Sequence, residues 1–268
     1  MANHNRKTLG LALGSGSFRG SAHVGVIKAL VQNNIPIDFL AGSSIGALVA
    51  AHYAVFQDIK KLEEMMLGNQ RGKISLLFDV SRAGGLLTGN RPEKLFRQIL
   101  EGAEFKDVKI PLKIVATDII EGIPFIFQRG DLATAVQASI SVPLTFKPLK
   151  FKDKLLIDGG ASNPVPDNVV KDMGADVIVS VNLYNRYRFD TKNLNTSKVV
   201  MRGLEILLTN LTKSNTKHTD ILLEPKVGGS YKGSRLKKYY DRKLISNIIK
   251  DGEMMTRDKT DEIKLLLQ

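Results

Sequence analysis

Gly42-Ser43-Ser44-Ile45-Gly46 is the segment whose residue types best suit chemistry. It fits G-x-S-x-G, a serine between small residues. A short apolar strand read over 37–41 precedes it, and an apolar helix over 47–56 follows. A sharp strand-to-helix turn there pushes the Ser44 hydroxyl out at the sheet edge, beside the partial positive charge of a helix N-terminus. The chemistry would be acyl transfer through a serine nucleophile, with Gly42 and Gly46 completing the elbow. A plain glycine turn capped by serine has the same letters. The flanking elements therefore carry the reading, not the pattern alone.

A nucleophilic serine needs a base, and the chain has four histidines: His4, His23, His52 and His218. His52 follows Ser44 by eight positions, about 12 Å along a helix and out of hydrogen-bond reach. His4 lies near the N-terminus. His23 opens the first helix, where a structural role is expected. His218 has the right order after serine and acid, but its Thr/Lys/Asn-rich surroundings read as a surface loop. A carboxylate is the alternative base. Asp158 ends a short strand over 155–157 and is followed by Gly159 and Gly160. That places a carboxyl group at the carboxyl edge of a sheet, where open α/β folds put their sites. The glycines allow close backbone approach, although Asp-Gly is also a common turn pair.

The developing oxyanion needs donors. The loop 14–20, Gly-Ser-Gly-Ser-Phe-Arg-Gly, runs from a strand into a helix, and its N–H groups could face negative charge. Two rivals share such a loop. A phosphate-binding P-loop would end in G-K-[ST], which is absent here. A dinucleotide fingerprint begun at Gly14 would need glycine where Arg19 stands. Its ribose-binding acid would be Asp38, which sits at the start of the second strand rather than its end.

The remaining elements follow from periodicity and punctuation. Residues 8–13 read as a buried strand and 22–33 as a helix. Strands are expected over 110–117, 124–128 and 177–183, with helices over 131–138 and 167–174. This alternation predicts an α/β fold with a largely parallel sheet. Residues 57–108, more polar and broken by Gly84, Gly85 and Gly89, read as a helical cap or insert. Beyond 183, Val200, Leu204, Leu207, Leu208 and Leu211 make an apolar stripe at helical spacing. Packing on the domain is the ordinary meaning of such a stripe, and insertion into a membrane surface is the sharper one.

Together the ordered motifs resemble those of the patatin-like phospholipase family. The family's G-G-G-x-R-G loop corresponds to Ser15-Gly-Ser-Phe-Arg-Gly20, its nucleophile motif to Gly42-Ser-Ser-Ile-Gly46, and its acid motif to Asp158-Gly-Gly160. Val115-Ala-Thr-Asp118, Ala138-Ser-Ile-Ser-Val-Pro143 and Asn163-Pro-Val-Pro166 resemble further hallmarks. The resemblance covers 8–183 well and the tail loosely. It implies a three-layer α/β/α fold and a Ser44–Asp158 dyad without histidine, acting through an acyl-enzyme. Gly16 and Ser17 would supply the oxyanion hole, with Arg19 at the family's basic position. Its guanidinium would bind either the loop carbonyls or a lipid phosphate. Neither cofactor nor metal is required. Ser15 and Ser17 stand where the family has glycine, and serine at positive φ costs on the order of 1–2 kcal/mol. A catalytically weak or inactive lipid-binding protein is the alternative reading.

Composition sets the outer bounds. The 268 residues are 43% hydrophobic and 25% charged, which excludes wholesale disorder. Cysteine is absent, so a thiol nucleophile is excluded. The longest apolar stretch is too short to span a bilayer, and the start of the chain lacks a signal-peptide core. The expectation is a cytoplasmic protein, with peripheral contact at the inner membrane face. The net charge is +12. Residues 184–268 hold 18 basic and 10 acidic side chains, or +8, and are expected to form a basic helical extension packed on a catalytic domain spanning 1–183. Such charge suits an anionic membrane, with Lys232, Arg235, Lys237, Lys238, Tyr239 and Tyr240 as candidate contacts. Nucleic acid is the weaker partner, since no recognised module accompanies the charge. A lipid or other acyl ester is the expected substrate.

Overall fold

Leu9, Leu11 and Leu13 alternate with Gly10 and Ala12, and that alternation sets the architecture. In the computed structural model, which describes residues 6–68, 91–143, 145–184, 191, 194–226 and 241–268, these five residues form the central strand β1 (Leu9–Leu13). Its leucines face a large core, and Ala12 faces a smaller one on the other side of the sheet. Strands β2 (Phe39–Ser43), β3 (Leu112–Asp118), β4 (Ile123–Phe127), β5 (Leu149–Phe151), β6 (Lys154–Asp158), β7 (Val177–Val181) and β8 (Ile221–Leu223) complete the sheet. Its order is β5-β6-β3-β2-β1-β7-β8, with β4 paired to β3. The β1–β2, β2–β3, β1–β7 and β7–β8 pairs are parallel; β3–β4, β3–β6 and β5–β6 are antiparallel.

Helices α1 (Ser21–Gln32), α2 (Ile45–Phe56), α3 (Ile59–Leu67), α4 (Arg91–Ile99) and α5 (Leu132–Ile140) precede the short α6 (Asp167–Lys171). Then come α7 (Thr196–Ser214), α8 (Arg242–Arg257) and α9 (Thr260–Leu266). The larger core draws on α1, α2, α3, α5 and α8. The smaller is closed by Val165, Val169 and Val170 around α6. Only small residues allow that thin layer: a Cβ on Gly10 would come within 2.6 Å of Ala175 Cβ.

Several expected boundaries move. Strand β2 runs to Ser43, two residues further than its apolar letters suggest, because its pairing with β1 and β3 continues into the motif. Strands β5 and β8 have three residues each and were not anticipated. The described parts of 57–108 are core elements, with Leu62, Phe96 and Leu100 buried; residues 69–90, including Gly84, Gly85 and Gly89, lie outside the described residues. The segment after 183 enters the same unit, β8 joining the sheet and α8 lying along α1. The stripe on α7 packs only in part: Leu208 and Leu211 are half-buried, whereas Val200, Leu204 and Leu207 are exposed. The six tail residues from Lys232 to Tyr240 named above lie outside the described residues.

Candidate active site

Strand β3 brings the site together. Its residues Ile114 and Val115 pair with both β2 and β4, and Ala116, Thr117 and Asp118 pair with both β4 and β6. A strand has two edges, so β2 and β6 must share one, opposite β4. They meet end to end there: Ser43 is opposite Val115, and Asp158 opposite Ala116. Ser44 therefore leaves β2 where β6 delivers Asp158. The junction is tight. A Cβ on Gly159 would lie 2.1 Å from Val115 O and 2.8 Å from Ser43 Oγ.

Ser44 takes φ 56°, ψ −124°, a strained conformation for a residue with a Cβ. The turn fits because Gly42 and Gly46 carry no side chain. A Cβ on Gly42 would meet Gly46 O at 2.5 Å, and one on Gly46 would meet Leu13 O at 2.1 Å. Helix α2 then starts at once and is buried through Ala54. The Ser44 Oγ–H donates to Asp158 Oδ2 at 2.5 Å. Asp158 Oδ1 accepts the Gly160 N–H at 2.8 Å. Burial pushes the Asp158 carboxyl up to about 6, against the opposing pull of its bonds from Ser44 and Gly160.

One buried residue whose role was missed in the sequence holds the backbone of Ser44. Ser139 Oγ accepts the Ser44 N–H at 2.8 Å and donates to Val115 O at 2.6 Å. Ser141 O accepts the Asp158 N–H, and Thr117 Oγ1 donates to Asp158 O at 2.8 Å. Their segments were legible, but no local pattern told what each hydroxyl bonds.

The loop after β1 lies against the acid loop. Ser15 donates its N–H and its hydroxyl to Pro164 O at 2.8 and 3.2 Å. A Cβ on Gly160 would stand 2.6 Å from Ser15 Oγ. Gly16 is extended, at φ 168°, and a Cβ there would meet Leu183 Cβ at 2.6 Å. Ser17 is in the left-handed region, at φ 60°, whereas Ser15 is not at positive φ. The strain foreseen for this loop thus falls on one serine. Arg19 is buried and its Nε donates to Gly16 O at 3.1 Å, so the guanidinium binds a loop carbonyl. It also stacks 5.0 Å from the centre of the Tyr184 ring and lies 3.9 Å from Glu205 Oε1. Burial pushes the Tyr184 phenol up to about 12.

The other candidates have different partners. His23 Nε2 lies 2.7 Å from Gly14 O, so it carries the proton and donates, fixing the start of the loop. Burial lowers its pKa to about 4, which keeps the ring neutral. His52 packs against Phe56, and His218 Nδ1 faces Lys171 Nζ at 3.0 Å. His4 is outside the described residues. Asp38 is engaged twice by Arg6, at 2.6 and 2.8 Å, and accepts the Leu9 N–H. It is a clamp on β1 and β2 rather than a ribose acid.

Fold and site define an α/β protein with a serine at a strand-to-helix elbow hydrogen-bonded to a buried carboxylate. Residues 11–169 match the patatin-like phospholipase family, and the chain belongs to that family. An uncharacterized NTE family protein of Mycobacterium tuberculosis is 36% identical over 173 residues, covering 65% of this chain and 48% of that protein. A patatin-like phospholipase domain-containing protein of Caenorhabditis elegans is 30% identical over 214 residues, covering 78% of this chain and 16% of its own length. The chain thus spans about half the length of the mycobacterial relative. Among solved structures, VipD from Legionella pneumophila superposes with TM-score 0.55 at 16% identity, covering 96% of this chain and 67% of VipD. That likeness concerns the fold.

Proposed function

We propose that the chain is a serine hydrolase of lipid acyl esters. The observation that carries this is the 2.5 Å bond from Ser44 to a buried Asp158 whose carboxyl is raised to about 6. A carboxylate near pKa 4 is a weak base at neutral pH, and a raised one is better matched to taking a serine proton. In this reading the Ser44 proton passes to Asp158 Oδ2 as Oγ bonds to the ester carbonyl carbon. The carbonyl oxygen becomes an oxyanion facing the N–H groups of Gly16 and Ser17. The C–O bond to the alcohol breaks, and the leaving oxygen takes the proton from Asp158. Water then gives a proton to Asp158 and attacks the acyl-enzyme, and the acid departs as Ser44 regains its proton. Arg19 positions the loop through Gly16 O. Family membership supports a lipid or other acyl ester as substrate.

One observation favours the second reading, a lipid-binding protein of little activity: Ser17 is strained in the oxyanion loop. A fluorophosphonate probe separates the two. Labelling is expected at Ser44, and Ser44→Ala is expected to abolish both labelling and ester hydrolysis. Folded wild-type protein that takes no label would move the conclusion to the second reading.

A further inference from the structure

Helix α7 has its two sides reversed. At helical spacing Val199, Val200, Leu204, Ile206 and Leu207 share one broad side, and Arg202, Glu205, Thr209 and Thr212 share the other. A helix on a globular domain turns its apolar side to the core. Here Thr212 is 1% exposed and Glu205 reaches toward buried Arg19, whereas Leu207 is 65% exposed and Val199 56%. The polar side is fastened to both loops of the site. Glu205 meets Arg19 of the loop after β1, and at the C-cap Asn215 Nδ2 donates to Asn163 Oδ1 at 3.1 Å, just past Asp158-Gly-Gly. The apolar side consequently stands next to the site and is exposed among the described residues.

A contiguous exposed apolar face marks an interaction surface, and charge selects its occupant. Lys213 and Lys217 are exposed at the C-terminal end of the helix, and long lysine stems can lie along an apolar surface with their ammonium groups at its rim. An apolar stripe with cations at one end, on a chain of net charge +12, suits a helix lying in an anionic lipid interface. A second copy of the chain would bring its own +12 against the first. We infer that α7 docks this protein on an anionic lipid surface, with Val199, Val200, Leu204, Ile206 and Leu207 set into the acyl boundary. The site mouth then meets the lipid; that last step rests on the ester-hydrolase reading, whereas the docking does not.

The test uses the full chain and vesicles of phosphatidylcholine with or without phosphatidylglycerol. Wild type and Ser44→Ala should both sediment with the anionic vesicles, less so as salt rises. The pair Val200→Asp/Leu207→Asp should lower partitioning at least about ten-fold, with thermal unfolding unchanged and hydrolysis of a soluble short-chain ester retained. Should that pair fail to fold, Val200→Ser/Leu207→Ser is measured instead. Docking is overturned if wild type ignores anionic vesicles, if the variant binds as well as wild type, or if wild type is a dimer that the variant dissociates. Vesicle binding through this face without hydrolysis of any ester would uphold docking and sink the hydrolase reading. Hydrolysis of the soluble ester without vesicle binding would do the reverse.

Discussion

Asp158 meets two opposed demands. As the base in the proposed mechanism it must be ionised, yet its burial favours the protonated form. With the carboxyl near 6, ester hydrolysis per free enzyme should rise with pH through about 6 and level off above it. Stability runs the other way. Between the unfolded value of 3.8 and the folded value of about 6, the native state holds a proton that the unfolded chain has released. The stabilisation from this group is therefore complete below about pH 4 and is lost as pH rises through about 6. The difference of roughly two units corresponds to on the order of 2–3 kcal/mol. Asp158→Asn has no such charge to bury. Its stability relative to wild type should improve by that order between pH 4 and pH 8, while its ester hydrolysis is lost. Urea unfolding at both pH values, with a pH–rate profile of the wild type, checks this; a gap that stays constant with pH would refute it. Asp158 was legible because the two glycines that follow it mark where backbone must pass closely. Ser139 was not, because its use is a hydrogen bond to Ser44, 95 positions away in the chain.

At the scale of elements, periodicity showed the longer strands, though not the three-residue β5 and β8, and it did not show how strands meet. Nothing local in Leu155–Ile157 says that β6 runs antiparallel into the end of β2, yet that junction puts Asp158 on Ser44. Helix pairing was hidden in the same way. Helices α1 and α8 cross through two glycines: a Cβ on Gly25 would lie 1.9 Å from Ile249 O, and one on Gly252 would lie 2.1 Å from Ala22 O. The obstacle is backbone in both cases, so no side chain can turn aside. Alanine gains about 1 kcal/mol over glycine in an open helix, but forcing a methyl into a packed contact costs about 1–3 kcal/mol or more. Gly252→Ala should therefore destabilise the protein by at least about 1 kcal/mol. Gly203→Ala on α7, where a Cβ meets nothing within 4 Å, should gain up to about 1 kcal/mol. Denaturant midpoints for the two variants decide it, and a gain at Gly252 would show that the helices can separate without cost.

At the scale of the whole molecule, the motifs and the fold have different limits. The family match ends at residue 169 and the charge balance changes after 183, which makes the last third look appended. Charge is a property of the surface and says little about what the same segment buries. Helix α8 places Ile245, Ile248 and Ile249 in the larger core, none more than 5% exposed, and α9 adds Ile263. A helical extension packed on the domain was legible; that α8 lies along α1 was not. At about 1.5–3 kcal/mol for each side chain buried, these four isoleucines contribute roughly 6–12 kcal/mol. The whole stability of a domain is about 5–15 kcal/mol. A chain ended after Leu183 also leaves β7 without β8 and exposes its unpaired edge. It should lose the cooperative unfolding transition of the full chain and with it any labelling of Ser44, although every motif of the proposed site is still present. Circular dichroism melts of the two lengths, with probe labelling alongside, make the comparison. A truncated chain that melts cooperatively and still labels would show that α8 and β8 are an appendage after all, and that α1 can tolerate an open face.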